Sequence, residues 1–205
     1  MKRIIDLSQE IIDNMPVYPG DEAVKLYQDR SLDKDGYTSF RLEIGMHAGT
    51  HIDTPMHLLN RTTFINELPL DRFSGKGCLL DVRNEKIIDF KEEYVDLVKE
   101  DDIVLLYTDY GKFYGREEYY RNHPVISEEL AEFLIRKKIK MIGIDMPSPD
   151  KYPFVIHKRL FENDILIIEN LTNLSELLDI DCFEILVFPL NIKAEASMVR
   201  AAAII

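Results

Sequence analysis

Eleven consecutive residues, His47-Ala48-Gly49-Thr50-His51-Ile52-Asp53-Thr54-Pro55-Met56-His57, hold three of the five histidines in a chain of 205 residues. They restrict the backbone that can carry them. His47, His51, Asp53 and His57 all fall on odd positions, so an extended chain with a side-chain period of two aims all four at one face. At roughly 100° per residue a helix would align His47 with His51 but put Asp53 nearly opposite His51, and Pro55 would break it. The segment is therefore expected to be a strand running into a loop. Gly49 lets the backbone come close to whatever the side chains surround.

Histidine and aspartate are ligands for zinc, manganese and iron, and a cluster of them on one strand supplies several ligands from one side. Three histidines beside an aspartate would otherwise need separate buried partners. A catalytic metal takes about three protein ligands and a metal pair takes more, so further ligands are expected from elsewhere in the chain. In the C-terminal half, His157 follows the loop Pro147-Ser148-Pro149, and Glu169 ends the apolar run Ile165-Leu166-Ile167-Ile168. A charge there costs free energy unless it is paired or metal-bound. Each of these two has a structural reading of its own when judged alone. His123, just before Pro124, reads as a turn residue. Tyr18, on the stiff loop Met15-Pro16-Val17-Tyr18-Pro19-Gly20-Asp21, is either a binding platform or a residue packing that loop down.

The rest of the chain alternates strand and helix. Strands are expected at Ile4–Leu7, Val24–Tyr27, Tyr37–Gly45, Gly77–Val82, Ile103–Tyr107, Met141–Asp145, Ile165–Glu169, Phe183–Ile192 and a final segment ending at Ile205. Helices are expected at Asp89–Lys99, after the Ser127 cap, and over His157–Asn163. This order gives an α/β class, one domain over 1–205, with a mixed or barrel-like sheet and helices outside. The net charge of -12 argues against a nucleic-acid or anionic-membrane partner. No apolar run reaches membrane-spanning length. The basic start Met1-Lys2-Arg3 meets Asp6 after two apolar residues, unlike a secretion signal, so a cytoplasmic location is the default expectation. Cys78 and Cys182 lie far apart in apolar surroundings and read as buried free thiols.

The His-x-Gly-Thr-His-x-Asp-x-Pro-x-His pattern is complete from His47 to His57, and with it the chain resembles the cyclase-like metal-dependent hydrolases that include bacterial kynurenine formamidases. The resemblance extends through Asp6-Leu7-Ser8, the Met15–Asp21 loop, Gly143-Ile144-Asp145-x-Pro147-Ser148, the pair His157 and Glu169, and Val199-Arg200-Ala201. It implies a swivelling β/β/α-type fold, a homodimer or homotetramer, and one or two divalent metal ions, zinc or manganese. It makes His47, His51, Asp53, His157 and Glu169 ligands and leaves His57 as an unligated acid/base.

The implied reaction is hydrolysis of an amide or related carbonyl bond in a small molecule, arylformamidase-like. A divalent metal lowers the pKa of bound water from 15.7 to about 7 and polarises the carbonyl, and His57 titrates in the range needed to protonate a leaving amine. Kynurenine formamidases of this family carry tryptophan where this chain has Tyr18, and the chain has no tryptophan. Tyr18 and Tyr110 are the candidates for stacking on an aromatic substrate, with amides, lactams and lactones all open. Two rivals stand beside this: an iron oxygenase built on His51, Asp53 and His157, which leaves His47, His57 and Glu169 unused, and a metal-binding module without catalysis.

Overall fold

A computed structural model describes residues 3–205; Met1 and Lys2, which entered the expectation about the N-terminus, lie outside them. The strand Ile4–Asp6 (β1) leads through the proline-rich loop to a hairpin, Lys25–Arg30 (β2) and Ser39–Glu43 (β3), whose connection contains the one-turn helix Leu32–Asp35 (α1). Within the histidine motif the only strand is His51–Asp53 (β4). Then come Ser74–Asp81 (β5), Ile87–Ile88 (β6), Tyr94–Leu97 (α2), Ile103–Tyr107 (β7), Glu117–Arg121 (α3), Val125–Ile126 (β8), Glu128–Lys137 (α4) and Met141–Ile144 (β9). The chain closes with Val155–Glu162 (α5), Leu166–Glu169 (β10), Glu184–Leu186 (β11), Ala196–Met198 (β12) and Ala202–Ile204 (β13).

A curled mixed sheet carries the fold, in the order β1-β13-β11-β5-β7-β9-β10-β4-β12. Its centre, β5, β7, β9 and β10, is parallel, and β7 is buried along its whole length, as a strand covered on both faces requires. One face packs against α4 and α5 through Val104, Leu130, Leu134, Ile142 and Leu160. The other closes over Ile52, Phe73, Leu105, Ile168 and Ile185. Ser127 caps α4 as expected, its hydroxyl accepting Leu130 N–H at 3.1 Å. The expected α/β class with a mixed sheet is the fold observed.

Several local expectations give way. Only Tyr94–Leu97 of the helix expected over Asp89–Lys99 forms. The carboxylate of Asp89 accepts the Ser127 hydroxyl at 2.6 Å and Phe90 N–H at 2.9 Å, so it is tied to the start of α4 and caps nothing of its own. The strand expected from Phe183 to Ile192 stops at Leu186; Pro189, which has no N–H for a ladder, makes only an isolated bridge to Val199. Both cysteines are free, but Cys182 is exposed rather than buried. Cys78 is largely covered, and burial pushes its thiol up to about 11. Among the described residues no helix is long and apolar enough to cross a membrane.

Candidate metal centre

The pairing of β4 with β10 builds the centre. The two strands run antiparallel with His51 opposite Glu169 and Asp53 opposite Ile167, so cross-strand register alone sets the His51 and Glu169 side chains beside each other. Period two then returns Asp53 to the same face as His51. The other two motif histidines arrive differently from the single strand expected. Gly49 has φ of +66°, a left-handed conformation that favours glycine, and the turn it makes brings His47 back over the strand. Pro55 starts a 3-10 turn, Pro55–His57, which swings His57 in from the far end. His157 lies in the first turn of α5.

His47 Nδ1 lies 2.9 Å from Asp53 Oδ1, and His51 Nε2 lies 3.3 Å from Asp53 Oδ1 and 3.4 Å from Glu169 Oε2. His157 Nε2 is 3.2 Å from Glu169 Oε1. Yet His51 Nε2, Asp53 Oδ1 and Glu169 Oε1 are buried without a hydrogen bond, an arrangement that costs several kcal/mol unless something else is held there. The donor atoms form two triads, His47/His51/Asp53 and Asp53/His157/Glu169, each with its atoms within 4.8 Å of one another. Asp53 belongs to both. Imidazole nitrogen and carboxylate oxygen are the donors of a zinc or manganese site, so these residues fit one or two divalent ions.

The local field favours positive charge. Against burial, which opposes it, the carboxylates of Asp53 and Glu169 hold the His51 imidazole well above its ordinary value. Burial likewise opposes, but Asp150 and Glu169 raise His157 to about 9. Asp53 is held well below the carboxylate range by His51 and His47 in spite of burial. His57 goes the other way: burial lowers it, leaving a neutral imidazole near pH 7. Its ring centroid is 4.3 Å from that of His47 and 6.4 Å from that of His157, and it belongs to neither triad.

A cavity of about 250 Å³ opens onto the centre, with Val17, Tyr18, Tyr114, Tyr120 and Phe154 among its walls and His57, Asp53 and Glu169 at its base. Tyr18 lies edge-on to Tyr120, centroids 5.8 Å apart. Tyr110 is not brought to this cavity. It stacks on Tyr119 and donates its hydroxyl to the Glu118 carbonyl at 2.7 Å. His123 is buried, its ring nitrogens 3.1 Å from the Tyr120 carbonyl and 3.3 Å from that of Asp150, which ties α3 to the loop before α5.

The sequence reading passed over Asp150, Glu195, Asn170, Tyr114 and Tyr120. Glu195 Oε1 lies 3.3 Å from His47 Nε2. Asn170 donates to the Gly49 carbonyl at 2.9 Å and accepts the Tyr119 hydroxyl at 2.8 Å. Asp150 did leave a signal, an acid seven residues before His157 at a helix start. The others sit in turns or short elements with no periodicity to mark them.

Residues 5–151 match the protein family described as "Putative cyclase". The chain belongs to the cyclase family. Cyclase-family relatives include an uncharacterized protein of Methanocaldococcus jannaschii, 36% identical over 206 residues that span 98% of this chain and 99% of that protein. A kynurenine formamidase of Bacillus cereus is 32% identical over 203 residues, 96% of this chain and 95% of its own. Among solved structures, isatin hydrolase A from Labrenzia aggregata bound to benzyl benzoate shares the cyclase fold with a TM-score of 0.86 at 21% identity, covering 100% of this chain and 94% of that one.

Proposed function

We propose that the protein is a metal-dependent hydrolase that cleaves the amide C–N bond of a small substrate carrying an aromatic ring. One observation carries this: the two ligand triads that share Asp53 face a cavity walled by aromatic rings, with His57 beside them but outside both. Similarity to a kynurenine formamidase and to isatin hydrolases supports an amide as the bond cleaved. His47, His51, Asp53, His157 and Glu169 would hold one or two divalent ions, zinc or manganese. A bound ion supplies an activated water near neutral pH and polarises the substrate carbonyl.

The chain's own residues do the rest. Tyr18, Tyr114 and Tyr120 hold the ring of the substrate and keep bulk water off the bond to be cut. His57, neutral at pH 7, takes a proton from the attacking water on a free ring nitrogen and returns it to the leaving amine nitrogen. An iron oxygenase would use His51, Asp53 and His157 and leave Glu169 buried without a task. The test is a screen of zinc- or manganese-loaded protein against formyl-aryl amides, cyclic amides and lactones without oxygen. Turnover of an aryl amide that stops on chelation is expected; turnover that requires oxygen, or none with any amide, would contradict the proposal.

We infer also that two or more copies associate through the β2–β3 hairpin. In a chain of net charge -12, residues 25–43 are balanced, Lys25, Arg30, Lys34 and Arg41 against Asp29, Asp33, Asp35 and Glu43. Lys25 pairs with Glu43 and Arg41 with Asp29 on one face, while the other face carries Leu26, Gln28 and the exposed Phe40 and Leu42. A two-stranded sheet without packing is marginal, and a neutral apolar face is where two acidic chains meet with least repulsion.

A further inference from the structure

Each of the three histidines in the triads has its second ring nitrogen beside an oxygen, and the three oxygens differ. His47 Nε2 faces Glu195 at 3.3 Å, His51 Nδ1 donates to the Gly49 carbonyl at 2.9 Å, and His157 Nδ1 meets Asp150 Oδ1 at 2.6 Å. Glu195 is partly exposed. Asp150 is 6% exposed and its bond to His157 is the shortest of the three. Its other oxygen, Oδ2, accepts the backbone N–H of Ile156 at 2.6 Å and of His157 at 3.3 Å. One carboxylate thus grips both the ring and the backbone of the same ligand residue. The Asp150 carbonyl is in turn 3.3 Å from His123 Nε2, so the loop that carries it is anchored.

Resting on the ligand assignment above, we propose that Asp150 is the positioning residue of the metal centre. It holds His157 in the tautomer with the proton on Nδ1, which leaves the Nε2 lone pair facing Glu169 and Asp53, and it fixes the start of α5 so that the ring cannot swing away. A carboxylate behind a metal-binding histidine fixes the ring and raises its basicity. Asparagine cannot replace it. Both Asp150 oxygens accept from N–H groups, and an amide has only one oxygen: its NH₂ would face either the backbone donors of α5 or the ring. Facing the ring, it drives the proton of His157 onto Nε2 and removes the ligand.

Zinc affinity, measured by chelator competition on the full chain, tests this without relying on turnover. Asp150→Asn should weaken zinc binding by about 10- to 100-fold. In a His157→Ala background the same substitution should change it by less than about twofold, because a residue that acts only through His157 has nothing left to act on. In zinc-loaded wild-type protein, long-range ¹H–¹⁵N correlation should find the His157 proton on Nδ1, an observation that needs no variant to fold. Weakened binding by His157→Ala with no effect of Asp150→Asn, equal effects of Asp150→Asn in both backgrounds, or zinc on Nδ1 would each overturn the role of Asp150. Zinc affinity untouched by His157→Ala would instead overturn the ligand assignment, and the Asp150 proposal with it.

Discussion

His51 and Glu169 are set by strand register and are 1% and 5% exposed, whereas Tyr18, lining the same cavity, rides a proline-rich loop and is 44% exposed. Of the groups suited to holding a metal, His51, Asp53 and Glu169 come from the sheet and His157 from the first turn of α5, and only His47 comes from a turn, the one before β4. The groups suited to holding a substrate come from loops and from the short helix α3. A centre built on paired strands keeps its geometry when loops change, and loops can change because few contacts depend on them. The difference teaches that one frame can keep its ligand geometry while the loops around it change, and under the proposed function it puts Tyr18 on the side of substrate choice rather than of reaction class.

The largest effect expected from splitting these two regions is at His57, which borders both. His57→Ala should lower the turnover number with an aryl amide by about 10²- to 10⁴-fold while metal content by elemental analysis stays at the wild-type value. An unchanged rate would remove His57 from the mechanism. A second test concerns how rigid the sheet side is. Burial raises Asp145 to about 6, where it accepts the Thr108 N–H at 2.9 Å and the Thr108 hydroxyl at 2.5 Å. The native state then binds the proton more tightly than the unfolded chain, so this stability is present below pH ~4 and is lost as pH rises through about 6, about 3 kcal/mol in all. Asp145→Asn should remove that dependence, gaining on wild type between pH 4 and pH 7 in urea unfolding of the metal-free protein. A parallel pH dependence for both would contradict it. A smaller effect is expected on the loop side, where Tyr18→Ala should raise KM for an aryl amide roughly tenfold, worth about 1.4 kcal/mol of ring contact, and leave the turnover number within about threefold. The smallest effect on chemistry is expected from Phe40→Asp with Leu42→Asp in the β2–β3 hairpin. Sedimentation should show these chains as monomers and the wild type as an oligomer, with metal content unchanged. A monomeric wild type would end the assembly proposal.

The same division decides how much could be read from residue order alone. The central strands announce themselves as apolar runs, and the α4 cap is plain in the sequence. The odd spacing of His51 and Asp53 correctly puts both on one face, but for His47 and His57 the spacing misleads. The left-handed turn at Gly49 and the 3-10 turn at Pro55 bring them in, and period two has no part in it. That β10 lies next to β4 was not legible, because strand order across a sheet is settled by the packing of the whole chain. Glu169 looked costly at the end of its apolar strand, and its register with His51 supplies the reason it is there. Tyr114 and Tyr120 could not be distinguished from the other tyrosines before the fold brought them against the Tyr18 loop.

The central claim is that Asp53 joins the two triads into one metal centre. Elemental analysis of wild-type and Asp53→Ala proteins purified side by side tests it most directly. One or two equivalents of a divalent metal are expected in the wild type and almost none in the variant, with thermal unfolding showing that the variant is folded. Full metal retention in a folded Asp53→Ala protein would contradict the account.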